Sequence, residues 1–164
     1  MTLYYRVGAV DAQELVWPAE LNDDGLYRRI FRALIAVGAS TDEASDALQE
    51  AYEQILRQKA PPDRIDGWLF VVAQRRWRRQ RLRRRLFAPL AAVRDQSVKA
   101  HDAGTVLSEV AKLPMRQRQV FVASHVLGLT NDETARALGI ASGTVSATNH
   151  HVLQVLRERL GGDS

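Results

Sequence analysis

Thr130-Asn-Asp-Glu-Thr-Ala-Arg-Ala-Leu-Gly-Ile-Ala-Ser-Gly-Thr-Val145 reads as the end of a loop, a short helix, a tight turn and the start of a second helix. Thr130 and Glu133 have capping-box spacing. The threonine oxygen can accept the backbone N–H three residues on, and the glutamate can reach back to the N–H of the threonine. The pattern predicts a helix over Asn131–Leu138, a turn at Gly139 with apolar Ile140 tucked beneath it, and a second helix from Ala141–Gly143 to about Leu160. Two helices joined through a short glycine-containing turn make a helix-turn-helix, whose second helix enters the DNA major groove through its N-terminal residues. Those residues are Ser142, Thr144, Ser146, Ala147, Thr148, His150 and His151. Their hydroxyls can reach phosphates or base edges. A bundle that never meets DNA could use the same helices, but the cap, the apolar turn residue and the glycine occur together.

Upstream, Val106 to Leu113 predicts a short helix and Pro114 starts the next. Val120, Phe121, Ala123, Val126 and Leu127 form that helix's core face, and Gly128 ends it. Residues 86–105 have no periodicity; Pro89, small residues and His101-Asp-Ala-Gly104 interrupt it. Structureless stretches of this length are uncommon inside one domain, so this one reads as a tether.

Gln74-Arg-Arg-Trp-Arg-Arg-Gln-Arg-Leu-Arg-Arg-Arg85 holds eight arginines in twelve residues. So dense a positive cluster repels itself unless a polyanion neutralises it, and nucleic acid is the first candidate. The basic excess is local: residues 61–100 carry eleven bases and three acids, whereas residues 101–164 carry six of each. The run continues a helix that Asp66 can cap and whose first half, Gly67-Trp-Leu-Phe-Val-Val-Ala73, is apolar. On a helical wheel its arginines spread nearly all round, so this half should project past the core, with Leu82 and Leu86 touching the body. Ala60-Pro-Pro-Asp-Arg64 precedes it as a break.

Two further helices lie before that break. Leu26, Ile30, Phe31, Leu34 and Val37 recur at helical spacing up to Gly38. Ser40-Thr-Asp-Glu43 then caps a helix running to about Lys59, with Asp46, Gln49, Glu50 and Glu53 off its apolar stripe. Residues 1–22 are weakly patterned, with a short strand at Leu3–Val7 and a turn at Trp17-Pro18 as expectations.

The 164 residues contain no cysteine, which removes disulfides, thiolate catalysis and cysteine–zinc sites. No apolar run approaches the roughly 18 residues needed to span a bilayer, and the acidic N-terminus is unlike a signal peptide. There is no glycine-rich phosphate loop and no metal spacing of histidines. His150 and His151 are adjacent, so on a helix they point about 100° apart. Neither an enzyme nor a cofactor is expected.

Four segments, in order, resemble the RNA polymerase sigma-70 family, and in particular its extracytoplasmic-function (group 4) members. Asp42-Glu-Ala-Ser-Asp-Ala-Leu-Gln-Glu-Ala-Tyr52 is like the family's acidic helix, and Gly67–Ala73 with the arginines is like its −10 helix. Leu113-Pro-Met-Arg-Gln-Arg-Gln-Val120 is like the opening of region 4, and Gly128–Val145 is like its −35 helix-turn-helix. The resemblance implies an all-α protein of two small helical domains on a flexible linker: an N-terminal extension (1–22), a region 2-like domain (23–86), a linker (87–105) and a region 4-like domain (106–160). It implies a cytoplasmic sigma factor that binds core RNA polymerase and directs it to −10 and −35 promoter DNA, with an anti-sigma factor as a further candidate partner. Arg64, Trp68, Arg75, Arg76, Trp77, Arg78, Arg79, Arg81 and Arg83 would then meet the −10 region, and residues 142–151 the −35 region. Asp46, Gln49, Glu50 and Glu53 would meet the polymerase. Two other classes stay open: a stand-alone helix-turn-helix regulator, and a sigma-like accessory or antagonist acting by protein contacts.

The chain departs from the family pattern in places. Arg75 and Arg79 stand where members commonly have asparagine and aspartate, Ser146 and Thr148 where a lysine and an arginine are usual, Asn149 on an expected apolar side, and Ala141 in place of a serine cap. Phosphate neutralisation drives much of DNA affinity, so the neutral recognition helix predicts weak −35 binding by itself.

Overall fold

Residues 18–87 and 105–161 are described in a computed structural model. The expectations for Leu3–Val7 and for most of the tether lie outside those residues. Among the described residues the architecture is helical throughout, with no strand.

Helix α1 (Asp24–Val37) is capped by Asp23, whose carboxylate accepts the Gly25 N–H at 2.9 Å. It ends at Gly38 with φ 113°. A side chain there would be strained by that φ and would also meet the Arg118 guanidinium, 2.8 Å from a Cβ position. Helix α2 (Thr41–Leu56) has both halves of its capping box, Ser40 with Glu43. It stops three residues short of Lys59, where the Arg57 and Gln58 amides turn back to Gln54 and Ile55 ahead of the two prolines. Helix α3 (Ile65–Phe87) begins before Asp66, so Asp66 is not its cap. Its carboxylate sits in the first turn instead, accepting the Gly67 N–H at 2.8 Å beside the positive end of the helix dipole.

Helix α4 (Val106–Ala111) is capped by Thr105. Helix α5 (Met115–Phe121) follows Pro114 and widens into a π-turn over Val122–Val126, where the Leu127 N–H reaches the Val122 carbonyl. Gly128 at φ 67° breaks away. Helix α6 (Asn131–Leu138) carries the Thr130–Glu133 capping box, Gly139 turns at φ 66°, and α7 (Ser142–Gly161) follows.

The largest core cluster joins α1, α2 and α3 through Ile30, Leu34, Leu48, Ile55, Leu69, Phe70 and Trp77, and it takes in Val122, Ala123, Leu127 and Leu129 from the second half. Each large side chain removed from water contributes roughly 1.5–3 kcal/mol before entropy is counted. Smaller clusters join α4, α5 and α7 through Val110, Leu113, Phe121, Val152 and Leu156, and hold the helix-turn-helix through Val120, Ala135 and Val145. Asn149 on α7 fits its half-buried place by donating to Ser124 Oγ at 2.9 Å, though its own Oδ1 has no partner.

The arginine half of α3 extends past the apolar core, with none of its residues after Trp77 buried, but it lies along α2 instead of standing free. Glu50 of α2 meets Arg76 and Gln80, and Glu43, two turns earlier on α2, meets Trp77 and Arg84. The two helices therefore run antiparallel. Leu82 and Leu86, expected against the body, are 58% and 70% exposed, because the acidic helix binds α3 through its arginines rather than its leucines.

Candidate nucleic-acid interface

Helix α3 sorts its arginines by what lies beside each face. Arg76 pairs with Glu50 at 3.2 Å, Arg84 pairs with Glu43 at 3.0 Å, and Arg81 lies over the Trp77 ring at 5.6 Å. These point toward α2. Away from α2, Arg75, Arg78 and Arg79 are exposed, and Arg83, about 20° round the helix from Arg76, is exposed at the edge of the two faces; none of the four has a carboxylate partner among the described residues. At 100° per residue those four spread over about 140° of the helix surface, along about 12 Å at 1.5 Å per residue. Trp68 lies two turns before Arg75 on the same face and is half-buried. A band of unpaired guanidinium groups suits a phosphate backbone, whose charges along one strand recur every ~3.4 Å.

Three of the expected DNA-facing residues are placed otherwise. Trp77 is 1% exposed, and its Nε1–H donates to Glu43 at 3.0 Å, so no base can stack on it. Arg76 and Arg81 belong to the packed side. Arg64 sits at the end of the exposed face with four of its five N–H groups engaged: Nη1 donates to both carboxylate oxygens of Glu133 at 2.9 Å, and Nε and Nη2 donate to Asp66 at 3.1 and 3.0 Å.

Burial pushes the carboxyls of Glu43 and Asp66 up, but their partners outweigh it and hold both below the usual range. For Glu43 these are the Ser40 N–H, the Trp77 indole and the charges of Arg84 and Arg81. For Asp66 they are Arg64, the Gly67 N–H and Arg29. Glu133 is also held low, first by the Thr130 N–H and then, against some desolvation, by Arg64.

The expected polymerase quartet shares one face of α2, but not one environment. Asp46 and Gln49 face solvent, whereas Glu50 and Glu53 are half-buried, Glu50 against Arg76 and Gln80 and Glu53 against Gln49 and Arg57. On α7, Thr144, Ser146, Ala147, His150 and His151 are exposed, with Ser142 and Thr148 half-buried at the edge. Val145 turns inward at 0% exposure. The structure thus presents the N-terminal half of α7 with its neutral hydroxyls outward. Sequence patterning missed Glu133's contact with Arg64; the capping box explains that glutamate fully and gives no hint of a second role. It also missed Arg116 and Arg136, exposed cations on α5 and α6, the first donating to the Leu138 carbonyl at the end of α6. Among the described residues no cluster of histidines and acids could hold a metal, and no helix is long and apolar enough to cross a membrane.

The family pattern named sigma-70 region 4 matches residues 104–154. The ECF RNA polymerase sigma factor SigM of Mycobacterium tuberculosis is 32% identical over 136 residues, covering 76% of this chain and 69% of SigM. The chain belongs to the ECF sigma factor family. The RNA polymerase sigma-E factor of Streptomyces antibioticus is 38% identical over 72 residues, 44% of this chain. That match spans 40% of the Streptomyces protein's length. Among solved structures, the sigma factor RpoE of Bartonella quintana, crystallised with the anti-sigma factor NepR, superposes with a TM-score of 0.68 over 85% of this chain and 94% of RpoE, at 21% identity. The shared fold is that of an ECF sigma factor.

Proposed function

We propose that this ECF sigma factor is a cytoplasmic promoter-specificity subunit without catalysis of its own: it binds core RNA polymerase, engages −10 DNA through α3 and reads −35 DNA through α7. The observation that carries this is the sorting of α3 into an acid-paired face and an open band of Arg75, Arg78, Arg79 and Arg83. A helix that only needed solubility would not require four adjacent unneutralised guanidinium groups beside a half-buried tryptophan. Asp46 and Gln49 form the polymerase contact, with Glu50 and Glu53 shaping it from beneath. Residues 23–86 act as the region 2-like unit and 106–160 as the region 4-like unit. An anti-sigma factor is a natural regulator of such a chain, as RpoE's complex with NepR illustrates for that protein.

The neutral surface of α7 favours dependence on polymerase over autonomous duplex binding, since few phosphate contacts can come from that helix. Fluorescence anisotropy with labelled promoter duplex tests this. Weak binding by the free chain and tight, sequence-dependent binding after addition of core polymerase is the expected result. Tight specific binding by the free chain, unchanged by polymerase, would favour a stand-alone regulator instead. Polymerase binding with no promoter preference would favour an accessory factor.

A further inference from the structure

Helix α1 carries three exposed arginines, Arg28, Arg29 and Arg32, that neither the core nor the promoter reading uses. We propose that they form a binding site for a compact di- or triphosphate, inorganic or carried by a nucleotide, in the recess between α1 and the π-turn. The site belongs to a different helix from the DNA-facing arginines of α3 and goes beyond the promoter role.

Its position follows from the helix. At 100° per residue Gly25, Arg28, Arg29 and Arg32 fall within an arc of about 100°, and the three arginines span about 6 Å along the axis. All four residues line one recess of about 470 Å³, which Val126 of the π-turn also lines. That volume lies within the range of small-molecule sites, roughly 300–1,000 Å³. Gly25 puts no side chain into the recess, one turn before the arginines.

The charge there is compensated only in part. Asp24 reaches Arg28 at 3.9 Å, and both side chains are largely exposed. Asp66 reaches Arg29 at 3.9 Å but is held more closely by Arg64, at 3.0 Å, and by the Gly67 N–H. Arg32 has no carboxylate partner among the described residues. Ion pairs this long and exposed contribute little, so an anion can displace them. Three guanidinium groups within one turn of helix repel one another, and each offers a planar fork that fits phosphate oxygens. The shape narrows the anion. A phosphodiester strand spreads its charges along a line, whereas these cations share one recess with an apolar wall. Successive phosphates of one small molecule match that arrangement.

Isothermal titration calorimetry of the full chain in magnesium-free buffer tests the site, with tripolyphosphate, ATP and inorganic phosphate as probes. Tripolyphosphate and ATP should bind saturably, one per chain, and inorganic phosphate roughly tenfold more weakly because it engages fewer guanidinium groups. Arg28→Gln and Arg32→Gln should each weaken tripolyphosphate binding roughly tenfold, the effect of one lost charge-assisted contact. Arg32→Lys keeps the charge without the fork and should recover part of that loss. Arg57→Gln, the same charge change on an exposed arginine at the end of α2, should have less than about a twofold effect in moderate salt. These arginines are exposed, and unchanged helical circular dichroism checks that each variant folds. Equal affinities for tripolyphosphate and ATP would place the recognition in the phosphates alone, and tighter binding of ATP would add the apolar wall; both outcomes fit the site. No saturable binding at millimolar ligand, unchanged affinity in Arg28→Gln and Arg32→Gln, or equal weakening by Arg57→Gln would each overturn it. So would a single-stranded oligonucleotide that displaces ATP and itself binds less tightly to both α1 variants, because α1 would then be part of the DNA path.

Discussion

Glu43 gathers donors from three sides: the Ser40 N–H, the Trp77 indole and Arg84, each at 3.0 Å. It thereby ties the cap of α2 to the middle and the end of α3. Trp77→Phe keeps most of the buried ring but removes the indole donor, so it should cost about 2 kcal/mol in urea unfolding. A loss below about 0.5 kcal/mol would mean the bond is not made. The depressed carboxyls fix the sign of the pH dependence. The folded values of Glu43 and Asp66 lie below the unfolded ones, near 4.3 and 3.9. Their stabilisation is therefore complete above those unfolded values and is lost as pH falls through the folded values. The urea midpoint should hold from neutrality down to about pH 4.5 and then fall, and Glu43→Gln should remove part of that fall. A variant with the parent's full acid slope would contradict the role given to Glu43. Little of this was legible in the sequence. Trp77 stands among arginines and reads as a DNA-stacking ring, yet the acid that claims its nitrogen lies on a different helix.

At the scale of the element, local chemistry was legible and lateral chemistry was not. The bounds of α6 and the turn at Gly139 follow from a capping box and a residue free to take positive φ, both decided within four residues of chain. The two faces of α3 depend on where the acids of α2 fall beside it, so the wheel alone showed arginine all round. That division carries a prediction. Replacing Arg75, Arg79 and Arg83 with alanine should reduce the salt slope of single-stranded DNA binding by about 2, from roughly 0.7 per phosphate contact. Replacing Arg76 and Arg84 should lower stability and leave the slope nearly unchanged. Equal effects from the two sets, measured by anisotropy between low and moderate salt, would contradict the division. On α7, Ser146→Arg should strengthen −35 duplex binding several-fold and steepen its salt slope by about 0.9. No gain would mean that this exposed face does not approach the phosphates.

For the whole molecule, helical content and the order of the segments were legible because each segment carries its own periodicity. The way the two halves meet was not. Their contact uses Gln74, Gln119, Arg118 and the capping glutamate Glu133, residues that a sequence reader assigns to solvent. The central claim is that these helices direct a polymerase to promoters, and run-off transcription on a genomic fragment library with core RNA polymerase tests it most directly. Added chain should yield discrete transcripts whose start sites share −10 and −35 sequences, lost when Arg75, Arg78 and Arg79 are replaced together. Transcripts identical to those from core polymerase alone, from a chain shown to be folded, would contradict it.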